Sequence, residues 1–384
     1  MEIKEFIDLL PEDYEKECYE KKAIRRKRTI KTPPDLLILL LYYLYDDHSL
    51  VDVSQFAILK NIGNISDTAL IKKFIQCKDW ILWLISKMIP NEIIHYKKPE
   101  ELEPYRVIAV DASDIIQKGA VKKTWHLHYG VDLFSLTCNQ FQLTEQSTGE
   151  SLKNFEIKEK DLIIADRAYG TITSIGHCLK SGGEFIIRIR NKSFHLYDEQ
   201  GKKILFSDWL KTVGNKAAEI TVNIKDNNKN LIPLRICAKK KTKEEIAIEE
   251  KRLKKLESKK QITCSEDTKF THQFMFVITS LPSSVSAEKV LEFYRLRWQA
   301  ELVFKRYKSL LGLGNIPTKT KESSEVWLNG KMFLALLIEK YLGEIDFSPT
   351  WNIRTESECV ERNEIGTLFD LYDVTSGERN DIFS

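Results

Sequence analysis

The 384-residue sequence predicts a mixed α/β protein behind a helical N-terminal region. Three observations carry that expectation. Through about residue 98 the apolar residues fall at helical spacing, from Tyr105 they recur at the two-residue period of a strand, and Asp161 to Arg190 runs strand, helix, strand. With 42% hydrophobic and 30% charged residues the chain can bury a sizeable core, which excludes a disordered tail or a disulfide-stapled miniprotein. The longest apolar run, Leu36 to Tyr45, is ten residues, about half of the roughly 20 needed to span a bilayer, so no membrane partner is expected.

The N-terminal region, residues 1–98, opens with a basic cluster, Lys21, Lys22, Arg25, Arg26, Lys27, Arg28 and Lys31, ahead of Thr32-Pro33-Pro34 and an apolar helix from Asp35. Two helical stretches follow, Leu50 to Lys60 and Ser66 to Cys77, around Gly63-Asn64, with Ser66 placed to cap the second. Two helices about a short glycine turn beside a basic cluster suit a helix-turn-helix-like DNA reader or, equally, a small helical bundle with a solvated basic face. Strands are expected at Tyr105 to Val110, Thr124 to Val131 and Leu136 to Leu143, then at Asp161 to Ala165, a continuous apolar run of the kind buried on both faces. A helix from Thr171 to Lys180 stops at Gly182-Gly183, and Glu184 to Ile189 is the next strand.

Residues 191–272 interrupt this core with short β-like runs around Lys203 to Phe206, Ala218 to Ile224 and Leu231 to Ala238. A charged stretch follows, Lys239 to Lys260, with ten Lys or Arg and five Glu, the pattern of a solvated helix. A strand from Gln273 to Ile278 returns the chain to the core, and a long helix is expected from Ser286 to Leu311. The expected divisions are therefore 1–98, helical; 99–190 and 273–345, the two parts of the core; 191–272, a β-rich insertion; and 346–384, a polar tail. The seven cysteines form no CxxC pair and no signal peptide is evident, as for reduced thiols in the cytoplasm without a structural zinc. A net charge of only +3 means that any case for a nucleic-acid partner rests on local patches.

Asp111 follows the apolar run Val107-Ile-Ala-Val and Asp166 follows Ile163-Ile-Ala. An ionised carboxylate at such a place is costly unless it is paired or binds a cation, and the carboxyl edge of an α/β sheet is where ligands tend to sit. A lone aspartate there more often caps a turn. The helix from Ser286 tips the balance. At about 100° per residue, Arg297, Glu301, Lys305 and Lys308 fall within about 60° of Tyr294, while Leu296, Ala300, Val303, Phe304, Tyr307, Leu310 and Leu311 form an apolar face opposite. Asp111, Asp166 and Glu301 would repel one another unless a cation sits between them, and hard oxygen ligands favour Mg²⁺ or Mn²⁺ over zinc. Two such ions can drive in-line phosphoryl transfer, with Arg297 and Lys308 facing phosphates and Tyr294 donating a hydrogen bond or stacking on a base.

Tyr294, Arg297, Glu301 and Lys308, separated by two, three and six residues, match the signature of the insertion-sequence-four family of DDE transposases, and the chain resembles that family. Asp111-Ala-Ser113 and Ala165-Asp166-Arg167-Ala-Tyr169-Gly170 are similar to its two aspartate motifs, and the likeness spans residues 25 to about 340. It implies an RNase H-like catalytic core with a β-rich insertion and an N-terminal helical DNA-binding domain. Asp111, Asp166 and Glu301 would hold the metals, two Mg²⁺ or Mn²⁺ ions, and Tyr294, Arg297 and Lys308 the transposon-end DNA. It further implies cleavage of double-stranded DNA at terminal inverted repeats, joining of the 3′-OH to target DNA, and a homodimer. One departure is visible: where some relatives place a tryptophan before the signature helix, this chain has Phe274-Met275-Phe276.

Trp298 lies beside the polar stripe, where packing and base stacking are both open, and Arg167 suits a phosphate contact or an ion pair within the site. His126 and His128 share a strand face and suit a structural pair better than a metal site. No GxxxxGK, GxGxxG or GxSxG motif is present, so no nucleotide cofactor is expected. The expected activity is DNA transposition. An RNase H-like nuclease or resolvase without strand transfer, and a non-catalytic DNA-binding protein derived from a transposase, are the rivals.

Overall fold

The computed structural model describes residues 7–45, 48–88, 98–117, 125–135, 137–145, 147–190, 195–226, 228–298, 312, 315–318 and 320–344. Five helices open it: α1 (Tyr14–Glu20), α2 (Pro33–Leu44), α3 (Leu50–Leu59), α4 (Asp67–Gln76) and α5 (Lys78–Met88). Their starts are set by short polar side chains that satisfy first-turn amides. Thr32 accepts from Asp35 N ahead of the two prolines of α2, Ser49 and Asp52 form a capping box on α3, and Ser66 accepts from Ala69 N on α4.

The core strands follow: β1 (Arg106–Gln117), β2 (Trp125–Asp132), β3 (Thr137–Glu145), β4 (Asp161–Ala165) and, after α6 (Ile172–Lys180), β5 (Glu184–Arg188). Next come β6 (Leu196–Tyr197), β7 (Lys203–Ile204), the short α7 (Phe206–Leu210), β8 (Ala218–Lys225) and β9 (Leu231–Lys240). The charged stretch is a helix, α8 (Lys243–Lys260), of which Leu253 is buried. The described residues end with α9 (Glu266–Thr271), β10 (Phe274–Thr279), α10 (Ala287–Arg295), β11 (Asn315–Ile316) and α11 (Lys321–Glu344).

Among the described residues all the strands join one mixed sheet in the order β3-β2-β1-β4-β5-β10-β9-β8-β6-β7, with β11 beside β1. The strands of the insertion continue the core sheet, because β10 pairs antiparallel with both β5 and β9. β1, β4 and β5 are parallel, and α6 makes the crossover between the last two. β2 and β4 are buried along their whole length, as central strands covered on both faces must be. This is the mixed α/β architecture of an RNase H-like core.

Strand alternation divides the interior into two layers. Val107, Ala109, Leu162, Ile164, Ile186 and Val277 face one core, shared with the N-terminal helices, α10 and α11. Ile108, Val110, Ile163, Ala165, Phe185 and Ile187 face the other, under α6 and α7. The N-terminal helices and α11 therefore form one layer: α11 packs along α5, α2 and α4, Trp80 Nε1 donates to Tyr14 O at 3.0 Å, and Lys340 Nζ donates to Leu9 O at 2.6 Å. Among the described residues no helix is long and apolar enough to cross a membrane.

A close approach in this layer is at Gly330 of α11. A Cβ there would lie 2.6 and 2.8 Å from the two methyl carbons of the fully buried Leu44. Gly330→Val should therefore force α2 and α11 apart and lower stability by about 1–3 kcal/mol. Urea unfolding reads this as a lower midpoint with an unchanged slope; a wild-type midpoint would show that the helices accommodate the branch.

Candidate active site

The parallel register brings the two aspartates together. Val110 of β1 stands opposite Ala165 of β4, and Ala165 opposite Ile187 of β5. One residue on, Asp111, Asp166 and Arg188 occupy neighbouring positions on three strands spaced about 4.8 Å apart. By alternation they share the face of Ala109, Ile164 and Ile186, the face that α10 covers. Asp111 does not close its strand, as the sequence suggested. β1 runs on to Gln117 because β2 goes on pairing with it as far as Ile115, whereas its parallel neighbour β4 stops at Ala165. The sheet thus steps back on one side of Asp111 and leaves its carboxylate half-buried.

Asp111 Oδ1 accepts from Ala112 N and Asp166 Oδ1 from Ala168 N, both at 2.8 Å. Asp166 O also accepts from Tyr169 N at 3.2 Å, which closes a turn through Gly170. A Cβ at Gly170 would lie 2.9 Å from Arg188 O, so the turn reaches the end of β5 only with glycine there. Inside the turn Tyr169 is fully buried, and among the described residues its hydroxyl has no hydrogen-bond partner. Burial pushes its phenol far above the ordinary value, and the negative charges of Asp111, Glu150 and Asp166 act in the same direction. An orphaned buried hydroxyl among carboxylates, with an all-oxygen donor set, fits a hard divalent cation. Among the described residues no group of three or more His, Cys, Asp or Glu is placed to hold a metal ion. Glu301, Lys308 and the apolar positions 300–311 of the same wheel lie outside the described residues, as does the tail 346–384.

The expected long helix is interrupted. Ser286 caps α10 by accepting from Lys289 N, but the helix ends at Arg295. The following amides bond one residue short of the helical pattern, Leu296 N to Phe293 O and Arg297 N to Tyr294 O, each at 3.1 Å. Tyr294 and Arg297 therefore meet across a turn, with the guanidinium carbon 5.9 Å from the tyrosine ring centre. Tyr294 is 5% exposed, so its ring packs against protein. Burial raises its phenol, and Arg297, Arg188 and Asp166 all lie within electrostatic reach of it. Trp298 is half-buried, and Arg167 is exposed.

Arg235 holds the approach to α10. Its guanidinium donates to Leu281 O at 2.9 Å, Pro282 O at 2.6 Å and Val285 O at 2.9 Å, and it pairs with Glu219. A cavity of about 250 Å³ lies at the end of β5, with Arg167, Arg188, Arg190 and His272 as its cationic and polar wall and Phe274 and Phe276 as its apolar one. Glu249 of α8 accepts from His272 Nδ1 at 3.5 Å and pairs with Lys241 at 3.5 Å and Arg252 at 3.3 Å. The hydrogen bond from His272, followed by these cations, lowers the Glu249 carboxyl to about 2. In the sequence Tyr169 stands out only as part of the second aspartate motif, and Arg188, Arg190 and His272 have no role assigned. Arg188 had a usable signal, since it ends an apolar strand as Asp166 does.

His126 and His128 lie on the opposite face of the sheet from Asp111, in register with Asp114 and Ala112. His126 pairs with Asp114, and His128 Nε2 meets Thr144 Oγ1 at 2.9 Å beside the Asn154 amide.

A family model described as the transposase DDE domain matches residues 102–338, well over half of the chain and every strand from β1 to β11. The chain belongs to the DDE transposase family. It is 29% identical over 347 residues to InsL of insertion sequence element IS186A from Escherichia coli K12, and 29% over 348 residues to the transposase of insertion sequence element IS421 from Escherichia coli. Each alignment covers 88% of this chain and 93% of the relative. The transposase of insertion sequence element IS231C from Bacillus thuringiensis is 35% identical over 99 residues, 26% of this chain and 21% of that one. Members of the DDE family generally use divalent metal ions, in keeping with the oxygen donors at the edge of β1 and β4.

Burial of His128 lowers its imidazole to about 4, with neighbouring His126 acting in the same direction. Between about pH 6.5 and 4 the unfolded chain binds a proton there that the folded chain does not, so stability should fall as pH drops through that window and level off below it. Thermal melts across the window should show a shallower slope for His128→Gln; an unaltered slope would place the titrating group elsewhere.

Proposed function

We propose that the chain is a transposase of the insertion-sequence-four group that acts on double-stranded DNA, binding the terminal inverted repeats of its own element. It cleaves the ends by metal-dependent hydrolysis and joins the resulting 3′-OH ends to target DNA. The observation that carries this proposal is the strand register, which sets Asp111, Asp166 and Arg188 at neighbouring positions where β1, β4 and β5 part. Mg²⁺ or Mn²⁺, two ions when the site is full, would be held by Asp111, Asp166 and Glu301 and would activate the attacking oxygen and stabilise the leaving one.

The chain's own residues do the rest. Arg297 and Lys308 hold phosphates of the transposon end, Arg167 and Arg188 those nearest the cut, and the guanidinium fork suits a phosphodiester. Tyr294 is the buried support against which Arg297 rests, rather than a stacking platform. Trp298 borders the same edge and takes a DNA contact with its accessible side. In this scheme residues 1–98 recognise the ends, 99–190 and 273–345 carry out the chemistry, and 191–272 adds the α8–α9 wall of the cavity. Two copies act together, one on each end, inside the bacterial cell and without a nucleotide cofactor.

Asp166→Asn and Glu301→Gln should each abolish cleavage of an end-bearing duplex while leaving its binding nearly unchanged. Mn²⁺ should raise the melting temperature of the wild type and not of Asp166→Asn. Wild-type cleavage by either variant would remove these residues from the chemistry. Arg297→Ala should weaken binding of the cleaved end and reduce the slope of log affinity against log salt by about one, whereas an unaltered slope would deny the phosphate contact.

A further inference from the structure

The N-terminal helices carry an arrangement for which the sheet edge has no use. The connection from α3 to α4 is rigid: Ser54 Oγ donates to Ile65 O at 2.6 Å, and the amides of Ile62 and Gly63 both reach Ala57 O. α4 buries Leu70 and Phe74 and leaves Thr68 and Lys72 exposed on the side opposite, four residues apart and so on one stripe. Asp67 accepts from Thr68 N at 2.5 Å and from its hydroxyl at 3.1 Å, which fixes that threonine at the start of the stripe.

Four consecutive cationic residues, Arg25, Arg26, Lys27 and Arg28, are exposed, and both flanks of this run are tied to the same helix pair. Lys73 Nζ of α4 donates to Ala23 O at 3.3 Å. On the other side Thr29 lies against the α3–α4 turn, so close that a Cβ at Gly63 would be 2.6 Å from its methyl carbon. Lys27 stacks on Tyr19 at 4.8 Å, while Glu17 and Glu20 pair with Lys21 and Lys16. Among the described residues no ion pair engages Arg25, Arg26 or Arg28. A concentrated positive charge held at a set place beside an exposed polar helix face is complementary to a phosphate backbone flanking a groove.

We infer that α4 is the helix that reads base edges in the major groove, Thr68 and Lys72 meeting the bases while Arg25, Arg26 and Arg28 grip the neighbouring phosphates. An α-helix fits that groove, a lysine there pairs with guanine O6 and N7, and a threonine contacts either a base edge or a thymine methyl group. This deepens the proposed function and rests on it. The alternative open at the sequence level, a solvated basic face, predicts sequence-independent binding at most.

The test uses the full-length chain. A pool of random-sequence duplex DNA is selected for binding, and affinities for the enriched duplex and for a scrambled duplex are measured by fluorescence anisotropy at several salt concentrations. Wild type should enrich one motif. Thr68→Ala with Lys72→Ala should cut the preference for the enriched over the scrambled duplex roughly tenfold to a hundredfold, with binding to the scrambled duplex retained. Arg25→Ala with Arg26→Ala and Arg28→Ala should weaken binding to both duplexes and lower the salt slope by about three. All five positions are exposed, and melting temperatures matched to the wild type accompany the comparison. An unchanged preference in the α4 variant would overturn its assignment as the reading helix and leave the proposed function standing; failure of the wild type to bind any duplex would overturn both.

Discussion

In-phase parallel pairing of β1, β4 and β5 is the constraint on which the site depends. Because each strand turns successive side chains to opposite faces, a shift of one residue between β1 and β4 would send Asp111 and Asp166 to different sides of the sheet. The buried apolar faces prevent that slip. Ala109 and Ile164 belong to one core and Val110 and Ala165 to the other, so sliding either strand would misplace its whole set of core residues. The packing of two cores thus keeps both aspartates on one face of the sheet.

Covering elements complete the edge. α10 lies on the face that carries the aspartates because Val290, Phe293 and Tyr294 join the core on that side. Arg235 fixes where the helix begins by binding three carbonyls of the segment that leads into it. The loss of helical bonding after Arg295 then turns Arg297 back over Tyr294 instead of extending a single stripe. On the other side of the edge, α8 and α9 are drawn in by Glu249, which gathers Lys241, Arg252 and His272 around one carboxylate. The cationic wall of the cavity is therefore assembled from the core strands and the insertion together.

The remaining layer ties the ends of the chain to each other. α11 packs against α2, α4 and α5, so the helices before the first strand and the helix after the last share one interior. Movement of the basic run that flanks α4 would be felt through Lys73 and Gly63 by this same layer, which rests directly on the sheet.

Much of this was legible in the amino-acid order. Local signals act over a few residues: the cap at Ser66, the prolines that open α2, the buried run at Asp161–Ala165 and the glycines after α6 each determined an element from its own neighbours. The place of Asp111 and Asp166 after apolar runs, and the helical angle shared by Tyr294 and Arg297, also drew out those four residues. The extent of β1, the end of α10 and the joining of the insertion to the core sheet were decided by tertiary structure, because each depends on which strand or helix lies alongside and where that neighbour stops. The same holds for Arg188 and Tyr169, whose place beside the aspartates follows from strand register and side-chain burial, quantities that exist only once distant segments have paired.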